Sequence, residues 1–103
     1  MNIAKMLKEA QRMQERMAEA QSGLASRTVE ASTGGGKVRV TATAAGDVTA
    51  IKIDPQVVDP ADVEILEDLV LSAVRQVLED AKKIAGDEMG KLTGGIKIPG
   101  LTA

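Results

Sequence analysis

Residues 27–54 read RTVEASTGGGKVRVTATAAGDVTAIKID, and within each part of this stretch apolar residues recur at every second position. Such alternation is typical of β-strands that bury one face and expose the other. The alternation is interrupted by the glycines of residues 34–36 and by the run AAGD at residues 44–47, and both interruptions suit tight turns. The stretch therefore predicts three short antiparallel strands.

Val48 is out of step with the rest of the third predicted strand. Thr49, Ile51 and Ile53 share one side of that strand, whereas Val48 falls on the other. A β-bulge would shift the alternation at this point, and a contact with a second subunit would explain an apolar residue on the wrong side. The sequence leaves both explanations open.

The segment before the strands has the period of a helix. Its apolar residues alternate at spacings of three and four, which predicts a helix from residue 3 to residue 24 with one narrow apolar seam. At 1.5 Å per residue this helix is about 33 Å long, more than the small sheet can cover. Part of it is therefore expected to project or to meet another chain. The seam consists of Ile3, Met6, Ala10, Met13, Met17, Ala20 and Leu24.

A second long helix is predicted after the strands. Asp59 and Pro60 suit the N-cap and the first helical position. The apolar residues that follow, among them Leu66, Val70 and Val77, spread over roughly 200° of the helix, which is more than one sheet face needs. We therefore expect this helix to be buried on two sides, by its own sheet and by the first helix or a second subunit.

Core material is scarce in this chain. Of its 103 residues 44% are hydrophobic, but none is Phe, Tyr or Trp, the side chains that bury the most area each. Because a second subunit adds buried area, a homodimer is expected, with residues 1–88 as a single dimerising domain. Residues 89–103 are rich in glycine and have no period, which predicts a flexible C-terminal tail.

The chain also lacks the residues on which most catalytic and metal sites depend. It has no Cys and no His, so it can form neither disulfides nor thiolate or imidazole sites. We therefore predict no enzyme activity, no cofactor and no metal site. No stretch is long and apolar enough for a signal peptide or a membrane span, which predicts a cytoplasmic protein without a membrane partner.

Two weaker patterns favour ordinary structure over a binding site. Residues 34–37 resemble a phosphate-binding loop, but they lack its full spacing and precede a strand, so a hairpin turn is favoured. Acidic residues of the second helix could attract a hard cation, yet no other segment converges on them, and a solvated acidic face is favoured. These acids include Glu67, Asp68, Glu79 and Asp80.

Charge is distributed unevenly along the chain, whose net charge is −2. Residues 1–27 carry five bases against three acids, whereas residues 55–88 carry nine acids against three bases. On the first helix four bases fall within about 80° of one another, and we call them the basic ridge. The ridge would track phosphates, or it would be a solvated face whose bases pair with the neighbouring glutamates. The ridge is Lys5, Lys8, Arg12 and Arg16, and the glutamates are Glu9, Glu15 and Glu19.

Five blocks of the sequence, in order along nearly the whole chain, resemble the YbaB/EbfC family of bacterial nucleoid-associated proteins. The blocks are MLKEAQRMQERM at residues 6–17, GKVRVT at 36–41, IKIDP at 51–55, EILEDLV at 64–70 and IPGL at 98–101. The resemblance implies an α/β fold of the α+β type. In that fold a long N-terminal helix, a three-stranded antiparallel sheet and a long second helix form an intertwined homodimer with projecting helical arms.

The resemblance further implies that the chain binds duplex DNA with low sequence specificity and contributes to nucleoid organisation and gene regulation. It points to bases of the helices as DNA contacts, namely Lys5, Lys8, Arg12, Arg16, Lys82 and Lys83. The apolar pattern points to a dimer or packing seam formed by Ile3, Met6, Met13, Met17, Leu66, Val70 and Val77. The family often has Asn-Gly where this chain has Ala45-Gly46, and Asn where it has Arg75, and the sequence assigns no role to that arginine.

A second function competes with DNA binding. The acidic second helix and the methionine-lined first helix would also suit a non-enzymatic scaffold that holds replication or repair proteins, and the negative net charge favours this alternative. Salt separates the two, because phosphate binding weakens steeply as salt rises and a hydrophobic contact does not.

Overall fold

A computed structural model of the chain describes residues 2–92. Within them lie two long helices, three strands and a short 3₁₀ turn at Pro55–Val57. The elements are α1 (Ile3–Ser26), β1 (Thr28–Thr33), β2 (Val38–Thr43), β3 (Val48–Ile53) and α2 (Val63–Leu92). The predicted α+β fold, with its three-stranded antiparallel sheet between two long helices, is confirmed.

The sheet has the order β1-β2-β3, and both pairs of neighbours are antiparallel. Gly34–Gly36 connect β1 to β2 with φ angles of 62°, 69° and 89°. These angles lie in the left-handed region, which glycine enters without the steric cost that other residues meet. The glycine run is thus a hairpin turn, as predicted.

A β-bulge in β3 accounts for Val48. Thr41 pairs with Ala50, but Ala42 pairs with Val48, so Thr49 is the extra residue in β3. Directly paired residues of antiparallel strands point to the same face, and Val48 therefore shares the apolar face with Ala42. Of the two explanations that the sequence left open, the bulge is the one observed within the chain.

The core lies between one face of the sheet and α2. Val38 and Val40 of β2 are fully buried against Ala73 and Val77 of α2, which are also fully buried. The small alanine lets the helix axis approach the sheet closely. A hydrogen bond of 2.7 Å from the Thr33 hydroxyl to the carbonyl oxygen of Leu69 ties β1 to the same helix.

The start of α2 differs from the prediction. Asp59 caps a separate turn, since its side chain accepts a hydrogen bond of 2.9 Å from the amide of Ala61 and its carbonyl accepts one of 2.9 Å from Asp62. The helix begins only at Val63. Asp followed by Pro suits a turn as well as a helix start, so the local pattern could not separate them.

The end of α2 also differs, because the helix continues to Leu92 through residues that were predicted to begin the tail. Gly90 costs a helix only about 1 kcal/mol relative to Ala. Contacts of Ile84, Ala85 and Met89 with the core hold this part of the helix in place. The remaining residues of the predicted tail, 93–103, lie outside the described residues.

Most of α1 projects from the rest of the molecule, and we call this helix the arm. Leu24 is its one buried residue, and Met13 and Ala20 are half-buried. The chain measures 71 × 27 × 16 Å. Because the 30 residues of α2 span about 45 Å, the long axis requires α1 to extend beyond the end of α2. The predicted projection of α1 is confirmed.

Candidate nucleic-acid interface

The basic ridge lies on the exposed side of the arm, and all four of its residues are exposed. Within residues 2–92 none of them forms an ion pair with Glu9, Glu15 or Glu19. Both interpretations of the ridge, a surface that tracks phosphates and a solvated face, stay predictions. The ammonium and guanidinium groups remain available to an external anion.

The geometry of the ridge follows from helical spacing. Lys5 and Arg16 are eleven residues apart, which is about 16 Å along the helix, and the two bases between them lie on the same side. The arm begins at Asn2, whose side-chain oxygen accepts hydrogen bonds from the amides of Ala4 (3.1 Å) and Lys5 (3.4 Å). This N-cap orders the first turn, so the ridge is built on helix along its whole length.

The other side of the arm is apolar and uncovered. Ile3 is 72% exposed, Met6 51% and Met17 43%. These residues belong to the predicted seam, but no other part of the chain within residues 2–92 covers them. The arm thus presents a basic side and an apolar side to its surroundings.

Lys82 and Lys83 of α2 are exposed as well, but they lie apart from the ridge. The helices meet where Arg27 and Glu88 approach to 3.9 Å. Measured along α1, this contact lies about 16 Å from Arg16. Lys82 and Lys83 lie beyond the contact as seen from the ridge, in the part of α2 that packs on the sheet. The structure therefore does not join these lysines and the ridge into one surface.

The remaining seam residues divide between the core and an open groove. Val77 is fully buried inside the chain's own core, whereas Leu66 and Val70 are half-buried. The latter two line a groove between α2 and β3 with a volume of about 460 Å³, which we call the apolar groove. Its lining consists of Ile53, Leu66, Glu67, Val70, Leu71 and Val74.

Apolar residues continue outward from this groove along β3 and α2. Val48 is 41% exposed and Ile51 is 47% exposed, both on the face of the sheet that carries the core. Leu71 and Leu78 are exposed on the adjoining side of α2. The sequence predicted that α2 would be covered on two sides; within the described chain the sheet covers one side, α1 reaches α2 near Leu24 and Glu88, and the side that carries Leu71 and Leu78 is exposed.

A second group of bases, which was not predicted as a site, lies on the outer face of the sheet. Arg39 of β2 lies directly opposite Lys52 of β3, and Lys37 follows on the same face. The sequence did contain an indication of this group, because all three residues occupy outward-facing positions in segments where apolar and polar residues alternate. Only the strand register shows that they are neighbours.

Other candidate chemistry is not assembled in the described chain. Among residues 2–92 no three carboxylates lie close enough together to hold a metal ion. Lys37 of the glycine turn lies 3.8 Å from Asp54 and donates to the side chain of Gln56 at 2.5 Å. Over the same residues, neither helix has the length and hydropathy needed to cross a membrane.

The comparisons with known proteins agree with the fold. Residues 1–96 match the YbaB/EbfC DNA-binding family. A nucleoid-associated protein of Pelotomaculum thermopropionicum is 46% identical over 100 residues, which cover 97% of this chain and 95% of that protein. Another of Thermoanaerobacter pseudethanolicus is 50% identical over 100 residues, which cover 97% and 90%. A crystal structure of an uncharacterized protein from Helicobacter pylori shares the fold, with a TM-score of 0.82 at 16% identity over 91% of this chain and 99% of that one.

The fold and these matches define the chain as a small α+β protein of a DNA-binding class. The chain belongs to the YbaB/EbfC DNA-binding family, so the resemblance of the five sequence blocks is confirmed. The family is a nucleoid-associated DNA-binding family and not a known enzyme family.

Proposed function

We propose that this chain is a homodimeric protein of the cytoplasm that binds duplex DNA with low sequence specificity, has no catalytic activity, and contributes to nucleoid organisation and gene regulation. The observation that carries the proposal is the basic ridge, whose four exposed bases form no ion pair within residues 2–92 and lie on a projecting helix of a chain that belongs to a DNA-binding family. Lys5, Lys8, Arg12 and Arg16 are its principal contacts, and Lys82 and Lys83 are secondary ones.

The dimer is supported by the uncovered apolar surface of the body. Beside the apolar groove three more apolar side chains are exposed. Val48 and Ile51 lie on the sheet face that carries the core, and Leu78 lies on the adjoining side of α2. Burying one such side chain fully contributes about 1.5–3 kcal/mol, and the chain has no aromatic residues with which to cover them. A second copy brings a matching surface of Val, Ile and Leu. The groove is therefore the dimer contact that we propose.

DNA binding by the ridge would act through the phosphate backbone. Each base that neutralises a phosphate releases condensed counterions, and this release drives non-specific binding. Two arms on one dimer raise the effective concentration of the second contact once the first has formed. The chain has no Phe, Tyr or Trp for stacking on unpaired bases, so duplex DNA is a better target than single strands.

Neutralising the ridge tests this function. The variant K8Q/R12Q should bind a random-sequence duplex at least about tenfold more weakly at low salt, since about four phosphate contacts are lost per dimer. The slope of log K against log salt should become shallower by about 0.9 for each lost contact. Affinity is measured by fluorescence anisotropy, and the dimer mass by light scattering.

A matched control lies on the same arm. The variant Q14E/Q21E lowers the net charge by the same amount but changes positions on the opposite side of the helix, neither of them three or four residues from a ridge base. With both variants also compared at 0.1 M salt, it should bind DNA within about threefold of the unaltered protein, because long-range charge is screened within roughly 10 Å at that salt concentration. Equal losses in the two variants would mean that the ridge is not the contact.

A second candidate function is a scaffold for replication or repair proteins. It is favoured by the apolar side of the arm, where Ile3, Met6 and Met17 are exposed, and by the acids of α2. Binding of that kind would use hydrophobic contact, so raising salt from 50 to 200 mM should leave it nearly unchanged, whereas duplex binding should fall steeply.

A further inference from the structure

A cluster of bases occupies the outer face of the sheet at the end farthest from the arm. It consists of Lys37, Arg39 and Lys52, and we call it the far-end cluster. These residues border an open cleft of about 480 Å³, together with Gly36, Ile53 and Asp54. The outer face is polar along its length, so it is not a surface that the core of a dimer would cover.

Two members of the cluster are placed against each other by the strand register. Arg39 and Lys52 are directly opposite in the β2–β3 pair. Like charges in directly opposite positions destabilise a sheet, so the placement of Arg39 opposite Lys52 does not stabilise the fold of the chain. An anion bound between them would offset the repulsion.

The counter-charges around the cluster leave it incompletely neutralised. Glu30 lies 3.7 Å from Arg39, and Asp54 lies 3.8 Å from Lys37. Within residues 2–92 Lys52 has no carboxylate partner. Lys52 therefore adds a positive charge that no carboxylate of the described chain neutralises. The other two bases, Lys37 and Arg39, are only partly neutralised by Asp54 and Glu30, because these pairs lie at the surface.

The glycine turn orients the guanidinium of Arg39. The Arg39 Nε donates to the carbonyl oxygen of Gly36 at 3.1 Å, and a Cβ at Gly36 would lie 3.6 Å from the terminal Nη2. The Nε donor is thus committed to the turn and Nη1 lies 3.7 Å from Glu30, while Arg39 also lines the cleft. A guanidinium held in this way suits the tetrahedral oxygens of a phosphodiester.

The far-end cluster and the basic ridge lie at opposite ends of the chain. The arm joins the sheet at Arg27, next to the first residue of β1, and the cluster lies where β1 ends and β2 begins. A strand of six residues spans about 20 Å, and the ridge begins a further 16 Å out along the arm. One short straight segment of duplex does not reach both.

We propose that the far-end cluster binds the phosphate backbone of a second duplex, so that a protein whose arms hold one DNA segment holds another at the opposite end. This proposal rests on the proposed DNA-binding function. It assigns a role to residues on the sheet, whereas that function needs only the arm. The ligand is the duplex backbone, and its recognition needs no base contact.

A bridging assay tests the proposal. A biotinylated duplex on beads is loaded with the full-length protein, and a labelled soluble duplex is then recovered on the beads. The unaltered protein should recover the soluble duplex, and R39Q/K52Q should recover at least fivefold less. The affinity of R39Q/K52Q for a single duplex should stay within threefold. Circular dichroism and light scattering verify that the fold and mass are unchanged, as both residues are exposed.

The control variant R27Q/K91Q removes the same number of positive charges near the opposite end of the sheet, where both residues pair with Glu88. It should recover the second duplex within twofold of the unaltered protein. Equal recovery by R39Q/K52Q and the unaltered protein would overturn the second site and leave the arm as the sole contact. If the unaltered protein binds no duplex at low salt, the proposed function fails as well.

Discussion

The body of the molecule and its arm have similar amounts of patterned apolar sequence, yet they differ in what covers it. In the body Val38, Val40 and Val77 are fully buried between the sheet and α2. In the arm one residue out of 24, Leu24, is buried. The comparison shows that a helical apolar pattern establishes which side of a helix is apolar, and does not establish what packs against that side.

The largest expected effect contrasts an aspartate in the body with one in the arm. V77D places a carboxylate in a fully buried position without a partner, which should cost about 4 kcal/mol or more and abolish cooperative unfolding near room temperature. M6D introduces the same group at a side chain that is half exposed, and should change the free energy of unfolding by less than about 0.5 kcal/mol. Urea denaturation followed by circular dichroism measures both, and similar losses would mean that the arm is packed in solution.

A smaller effect is expected at the edge of the apolar groove. L71D should weaken the dimer by about 2 kcal/mol per copy, because each subunit loses a leucine that the partner would bury. The mass measured by light scattering at micromolar concentration should fall to that of one chain. The control is L7D on the arm, at a leucine that is also exposed, which should leave the mass unchanged. A dimer that persists in L71D would place the contact elsewhere.

The smallest effect concerns the tip of the arm. N2A removes the oxygen that accepts from the amides of Ala4 and Lys5, and loss of such a cap costs about 1 kcal/mol. Because residues 2–12 are all exposed within the described chain, this cost should appear as roughly fivefold faster hydrogen exchange in the first turn, and the unfolding midpoint of the body should not move. N2D retains a side-chain oxygen and should exchange at nearly the original rate. A shift of the whole unfolding curve in N2A would couple the arm to the body.

The arrangement of the candidate sites was predictable only in part. The basic ridge follows from spacing within one helix, because residues three and four apart share a side whatever surrounds the helix. The far-end cluster depends on pairing between strands, because Arg39 and Lys52 become neighbours only in the observed register. The bulge at Thr49 also depends on strand pairing, because a residue is extra only relative to the residues of the partner strand.

The two helices, the three strands, the glycine turn and the positions of the bases along the arm follow from the amino-acid order alone, because they depend on local periodicity and backbone preference. The bounds of α2, the apolar residues that are covered, and the bases of β2 and β3 that meet were set by the folded arrangement of the chain. The physical reason is that burial and strand register are relations between distant segments. Local preferences of about 1 kcal/mol, such as those of Gly90, are outweighed by the packing of Met89 and its neighbours against the core.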